Sequence, residues 1–168
     1  HEAGHALIPL YHNRVPEYMS IVARGGHNGY MLSDRFGESV TKESLLEQIC
    51  EALGGRAAEM VYGYGLTAGV SSDLKQATTY VAWMVCEFGM YEEEIGLAVI
   101  SKDQLHFNEK AEKLINQILS EQLQEAIRII NEKKDALERL AEAVLNSEKK
   151  YLTRREIEAA YNGTDSVK

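Results

Sequence analysis

The chain has 168 residues, 45% of them apolar, with 18 Lys and Arg against 26 Asp and Glu for a formal net charge of -8. That length and apolar share allow one domain with a real core, while the acidic balance, without any Lys/Arg-rich run, argues against nucleic acid as a partner. No stretch approaches the roughly 18–20 continuous apolar residues of a membrane span, and the two cysteines, Cys50 and Cys86, lie in apolar helical patterns that favour buried reduced thiols over a disulfide.

In chain order, residues 1 to 11 predict a helix that Pro9 kinks or ends, followed by a loop, HNRVPE. Segments 18–24 and 30–34 flank the turn cluster GGHNG and predict a β-hairpin. A helix follows from an N-cap at Thr41, with Leu45, Leu46, Ile49, Cys50, Leu53, Ala57, Met60 and Val61 at helical spacing. Gly54-Gly55 interrupts it, and a glycine pair in a helix interior suits close packing of another element. After a glycine-rich loop, 62–70, comes a helix capped by Ser71 or Ser72 and stopped at Gly89. The linker 90–104 contains IGLAVI, read as a short strand. Two long amphipathic helices are expected over 107–132 and 134–147, then a short one opened by the capping box TRRE at 153–156 and closed at Asn162-Gly163.

These elements make the chain mainly α with a minor α+β component. A small hairpin or edge sheet would accompany a C-terminal bundle of long helices. The expected organisation is a first unit over 1–105, a helical unit over 106–162, and a disordered tail from 163 to 168.

The opening residues carry the chemistry. His1, Glu2 and His5 form H-E-x-x-H, which on a helix projects both imidazoles from one face toward one point. Glu2 lies about 100° around that helix, placed to serve as a general base rather than a ligand. A zinc ion bound there would lower the pKa of its water to about 7 and leave one position open. Three fixed positions are a weak pattern, so a third protein ligand decides the matter. The extended H-E-x-x-H-x-x-G-x-x-H form is excluded, because Ile8 and Tyr11 occupy its Gly and last His positions. His12, His27 and His106 read as surface histidines. Glu47, Glu51, Glu59 and Asp73 remain as carboxylate candidates, and spacing does not choose among them. For Asp73 the plain alternative is an acid stabilising a helix N-terminus, and for Glu59 a solvated face or a pair with Arg56.

HEAGHA (1–6), LGGRAAE (53–59), TAGVSSDLKQAT (67–78), MVCEFGM (84–90) and the long helices running to LTRREI together resemble the protease domain of FtsH-type ATP-dependent zinc metalloproteases. The resemblance implies a helical zinc-peptidase fold, with one zinc per chain on His1, His5 and Asp73 and with Glu2 as catalytic base. Beside that ligand set, Glu59 becomes a candidate for orienting a ligand histidine. The segment SIVARGG resembles the edge strand on which zinc peptidases pair an extended substrate, which implies unfolded polypeptides as substrates. It also implies a homohexamer, a membrane anchor outside this chain, and a cytoplasmic location, or a matrix or stroma location in organelles. Met60 stands where the family commonly has a second glutamate, and Thr67-Ala68-Gly69-Val70 where Thr-Thr-Gly-Ala is usual. No G-x-x-x-x-G-K-[ST] occurs, so either an ATPase module lies upstream of His1 or the chain is a stand-alone relative that cleaves peptides and already unfolded proteins. The competing expectation is a scaffold or oligomerisation domain that keeps the fold without the activity.

Overall fold

A computed structural model describes residues 1–22, 40–63, 65, 70–106 and 108–164. Among them are eight α-helices: α1 (Glu2–Tyr11), α2 (Lys42–Tyr62), α3 (Ser71–Ala82), α4 (Glu92–Ile95), α5 (Lys102–Leu105), α6 (Glu109–Glu132), α7 (Lys134–Asn146) and α8 (Arg154–Asn162). Two short strands, β1 (Tyr18–Ser20) and β2 (Tyr151–Thr153), pair antiparallel with Met19 opposite Leu152. The mainly helical architecture expected from the sequence is the one observed.

The long helix α2 begins as its cap chemistry requires. The Ser44 N–H donates to Thr41 Oγ1 at 3.2 Å, and the Thr41 N–H donates back to Ser44 Oγ at 3.0 Å. It ends at Gly63, whose φ of 72° is the left-handed conformation that glycine adopts without strain. Pro9 does not end α1, which runs two residues beyond it to Tyr11. Instead the ring is buried in the core, and only one intrahelical donor is missing.

Two expectations change. The helix α3 is capped by Val70, whose backbone is already helical, rather than by Ser71 or Ser72, and it widens into a π-helical turn over Trp83–Glu87. The apolar run IGLAVI forms no strand: Leu97 and Val99 are 75% and 67% exposed, so they have no sheet face to cover. β1 pairs with β2 from the far end of the chain; the hairpin partner at 30–34, its turn with His27, and residues 165–168 of the tail lie outside the described residues.

The core falls into two clusters that share α2 and α6. One joins Leu7, Ile8 and Leu10 of α1 to Ala126, Ile129 and Ile130 of α6, Leu140 and Val144 of α7, and Ile157 of α8. The other joins Leu45, Ile49 and Leu53 of α2 to Ala77, Val81 and Met84 of the α3 arm and to Ile115 and Ile118 of α6. Cluster membership therefore does not follow the division at 105/106, because α1 packs among the C-terminal helices. Both cysteines are buried and free, and burial pushes the Cys50 thiol up to about 12.

The crossing of α1 and α2 is unusually close. A Cβ added to Gly4 would lie 2.3 Å from the Gly54 carbonyl oxygen, and one added to Gly54 would lie 2.6 Å from the Gly4 oxygen. Backbone meets backbone there, which only glycine on both sides permits. This contact lays the first turn of α1 onto the middle of α2.

Candidate metal centre

Three side chains from two helices converge at that crossing. His1 Nε2 and His5 Nε2 are 3.3 Å apart, and Asp73 Oδ2, in the first turn of α3, lies 3.3 Å from the first and 3.4 Å from the second. Atoms bound at about 2.0–2.1 Å to a tetrahedral zinc are roughly 3.3–3.4 Å from one another. All three edges of the triangle agree with that spacing.

The partners of the opposite ring nitrogens say which protonation state this geometry holds. His5 Nδ1 donates to the Glu51 backbone carbonyl at 2.8 Å, since a carbonyl can only accept. His1 Nδ1 is 3.0 Å from Glu59 Oε1, a carboxylate that is itself only 9% exposed. With a proton on each Nδ1, the neutral form of each ring turns an Nε2 lone pair toward the Asp73 carboxylate. Asp73 Oδ2 is buried and, despite its ion-pair distance, has no neighbour in hydrogen-bond geometry. Three electron pairs facing one point repel one another unless a cation lies between them.

The electrostatics run the same way. Burial pushes the Asp73 carboxyl up, but the imidazoles of His1 and His5 outweigh it and hold the acid well below the usual carboxylate range. The His1 imidazole is raised, chiefly by Asp73. Burial lowers that of His5, but Asp73 and the Glu51 carbonyl carry it above its ordinary value. This site stabilises positive charge, and His1, His5 and Asp73 are the group among the described residues whose donor atoms could hold a metal ion.

The other candidates separate from this triangle. The Glu47 and Glu51 carboxylates approach Arg14 at 3.4 and 3.7 Å, and the Glu51 backbone carbonyl meets the His5 ring. Glu59 touches the back of the His1 ring rather than the triangle. His12 lies 3.8 Å from Glu47, and His106 has an 81% exposed side chain. Glu2 occupies the first turn of α1 and is exposed. Two contacts went unforeseen: the Glu51 carbonyl, which no side-chain pattern signals, and Gly55, which lies beneath both rings and whose only sequence mark was the glycine pair.

The model of peptidase family M41 matches residues 1–159. The ATP-dependent zinc metalloprotease FtsH 2 of Thermoanaerobacter sp. is 37% identical over 172 residues, covering 99% of this chain and 32% of its own length. Its namesake from Methylacidiphilum infernorum is 34% identical, covering 88% and 26%. The ATP-dependent zinc metalloprotease FtsH of Thermus thermophilus is 33% identical, covering 97% and 28%. The chain thus spans about a third or less of the length of these relatives. No helix among the described residues is long and apolar enough to cross a membrane.

Proposed function

The chain belongs to peptidase family M41, and from that premise we propose that it is the zinc-dependent endopeptidase domain of an FtsH-like ATP-dependent protease. One observation carries the reading: His1 Nε2, His5 Nε2 and Asp73 Oδ2 form a triangle of 3.3, 3.3 and 3.4 Å, and the buried Asp73 Oδ2 has no partner in hydrogen-bond geometry. These three residues would hold one zinc ion per chain, with Glu59 and the Glu51 carbonyl fixing the two ring orientations. Bound zinc supplies a Lewis acid for the scissile carbonyl and a water acidified toward neutral pH.

The chain's own residues do the rest. Glu2, adjacent to His1 and exposed to solvent, takes the proton from the attacking water as its oxygen bonds to the carbonyl carbon. It then delivers that proton to the amine nitrogen as the C–N bond breaks. Glu59 holds the His1 proton on Nδ1, which would leave Nε2 free to hold the metal. Substrates are unfolded or extended polypeptides, held by backbone pairing at β1, beside which Ile21 and Val22 present exposed apolar side chains. ATP use, a membrane anchor, the hexameric ring and a cytoplasmic, matrix or stromal setting belong to the longer protein of which this is one part.

Cleavage of an unfolded protein such as casein by the zinc-supplemented chain tests the reading. A chelator should abolish it, and Glu2→Gln should slow it by at least about 100-fold while leaving zinc bound. An inert, zinc-loaded wild type would replace the protease by a scaffold, and full activity in Glu2→Gln would remove Glu2 as the base.

A further inference from the structure

Gly54 and Gly55 are adjacent in α2 and meet different neighbours. A Cβ at Gly54 would strike the Gly4 carbonyl oxygen and carbon at 2.6 and 2.9 Å, backbone atoms that cannot move without separating α1 from α2. A Cβ at Gly55 would meet His5 Nε2 at 2.6 Å, His1 Cε1 at 2.7 Å and His1 Nδ1 at 2.8 Å. Its three nearest neighbours are thus atoms of the two imidazoles. Nor is either glycine needed for backbone conformation, since the positive-φ glycines among the described residues are Gly63, Gly65, Gly89, Gly96 and Gly163. A glycine with ordinary helical dihedrals destabilises a helix relative to alanine, so its presence asks for a reason of space.

We propose that Gly55 is a positioning residue for the metal centre, its missing side chain being the floor on which the His1 and His5 rings lie. The inference rests on the zinc reading above. Carbon atoms in contact prefer separations of about 3.5–4.0 Å, so an alanine methyl would push both rings by roughly 1 Å. Metal–ligand distances tolerate about ±0.2 Å. Ring rotation relieves the clash at little cost to the fold, but it takes Nε2 of each histidine away from Asp73 Oδ2. It also breaks the bond from His1 Nδ1 to Glu59. A substitution at Gly55 therefore separates metal binding from folding, which a substitution at Gly54 cannot do.

The test compares wild type, Gly55→Ala and Gly54→Ala in the zinc-supplemented chain. Its readouts are zinc per chain after dialysis, the visible spectrum of the cobalt(II)-substituted protein, and thermal unfolding with and without chelator. For Gly55→Ala we expect an unfolding midpoint in chelator close to that of wild type and well above that of Gly54→Ala, the helix-propensity gain of alanine offsetting part of the lost Glu59 contact. Zinc should bind at least about tenfold more weakly, the zinc-induced rise in midpoint should shrink, and the tetrahedral cobalt bands should be weakened or lost. Gly54→Ala should fall in midpoint even in chelator. Wild-type zinc affinity and an unaltered cobalt spectrum in Gly55→Ala would overturn the role of Gly55 alone. A chelator-state midpoint lowered as far as in Gly54→Ala would make Gly55 a packing residue and also overturn it. Failure of wild type itself to bind either metal would bring down the zinc reading, and this inference with it.

Discussion

The two hydrophobic clusters use the same pair of long helices, α2 and α6, and differ in what those helices carry. On one side α1, α7 and α8 close over Leu7, Ile129, Leu140 and Ile157, and α1 brings the two imidazoles. On the other the α3 arm closes over Leu45, Val81 and Met84, and its first turn brings Asp73. Neither side contains a complete ligand set. The candidate site is thus the seam between the clusters, held in register by α2, which touches both. A cation bound there ties the first turn of α1 to the first turn of α3, and the seam should be the most metal-sensitive part of the molecule.

The largest effect should come from cutting that tie. At zinc concentrations about 1,000-fold above Kd, binding to the folded state stabilises by about 4 kcal/mol, and Asp73→Ala should lose most of that increment. Urea unfolding with zinc and with chelator measures it for both proteins. If the increment survives in Asp73→Ala, the clusters are not joined through this carboxylate.

Truncation within each cluster comes next. Leu7 and Met84 are fully buried, one on each side, so Leu7→Ala and Met84→Ala should each cost about 2–5 kcal/mol. Because α2 and α6 run through both clusters, each variant should still unfold in one transition, with an unchanged urea dependence. A second transition in either one would show two independent folding units.

A smaller loss is expected where the first cluster fastens its last helix. Arg139 Nε donates to the Ala160 carbonyl at 2.9 Å and Nη2 to the Tyr161 carbonyl at 2.6 Å, satisfying oxygens at the C-terminus of α8. Arg139→Ala should cost about 1.5–3 kcal/mol by urea unfolding, and Arg139→Lys should restore only part, having no planar fork to serve both oxygens. Full rescue by lysine would reduce this contact to simple charge.

How far each region could be read from the sequence follows from the range of its contacts. The amphipathic helices α2, α6 and α7 were legible because their apolar spacing is local. β1 was legible as a strand but its partner was not, since Tyr151–Thr153 lies at the other end of the chain and leaves no mark near Tyr18. IGLAVI misled because β propensity describes a half-buried pleat, and Leu97 and Val99 face solvent. At the site, H-E-x-x-H identified two donors, while the residues by themselves could not choose among four carboxylates. That choice depends on where α2 crosses α1, which the Gly4 and Gly54 backbones fix by contact. The family resemblance pointed to Asp73 because it carried that three-dimensional information.

The smallest effect concerns the cap of α8, on the side remote from Asp73. Glu156 Oε2 accepts the Thr153 backbone N–H at 2.8 Å and the Thr153 hydroxyl at 2.7 Å. Those bonds, the backbone one first, hold the Glu156 carboxyl below its ordinary value. A carboxyl depressed in the folded state contributes stability that is present above its unfolded pKa and lost as pH falls through the folded one. Glu156→Ala should cost about 0.5–1 kcal/mol at pH 7, the low end for a cap because the site is partly exposed. Below the folded pKa of Glu156 the ionised contribution is gone, and the gap from wild type should narrow. Urea unfolding at pH 7 and at pH values stepped down through the acid range measures both gaps. An equal gap at pH 7 and in acid would assign the loss to side-chain packing in the first cluster, and a wider gap in acid would contradict the sign of the shift.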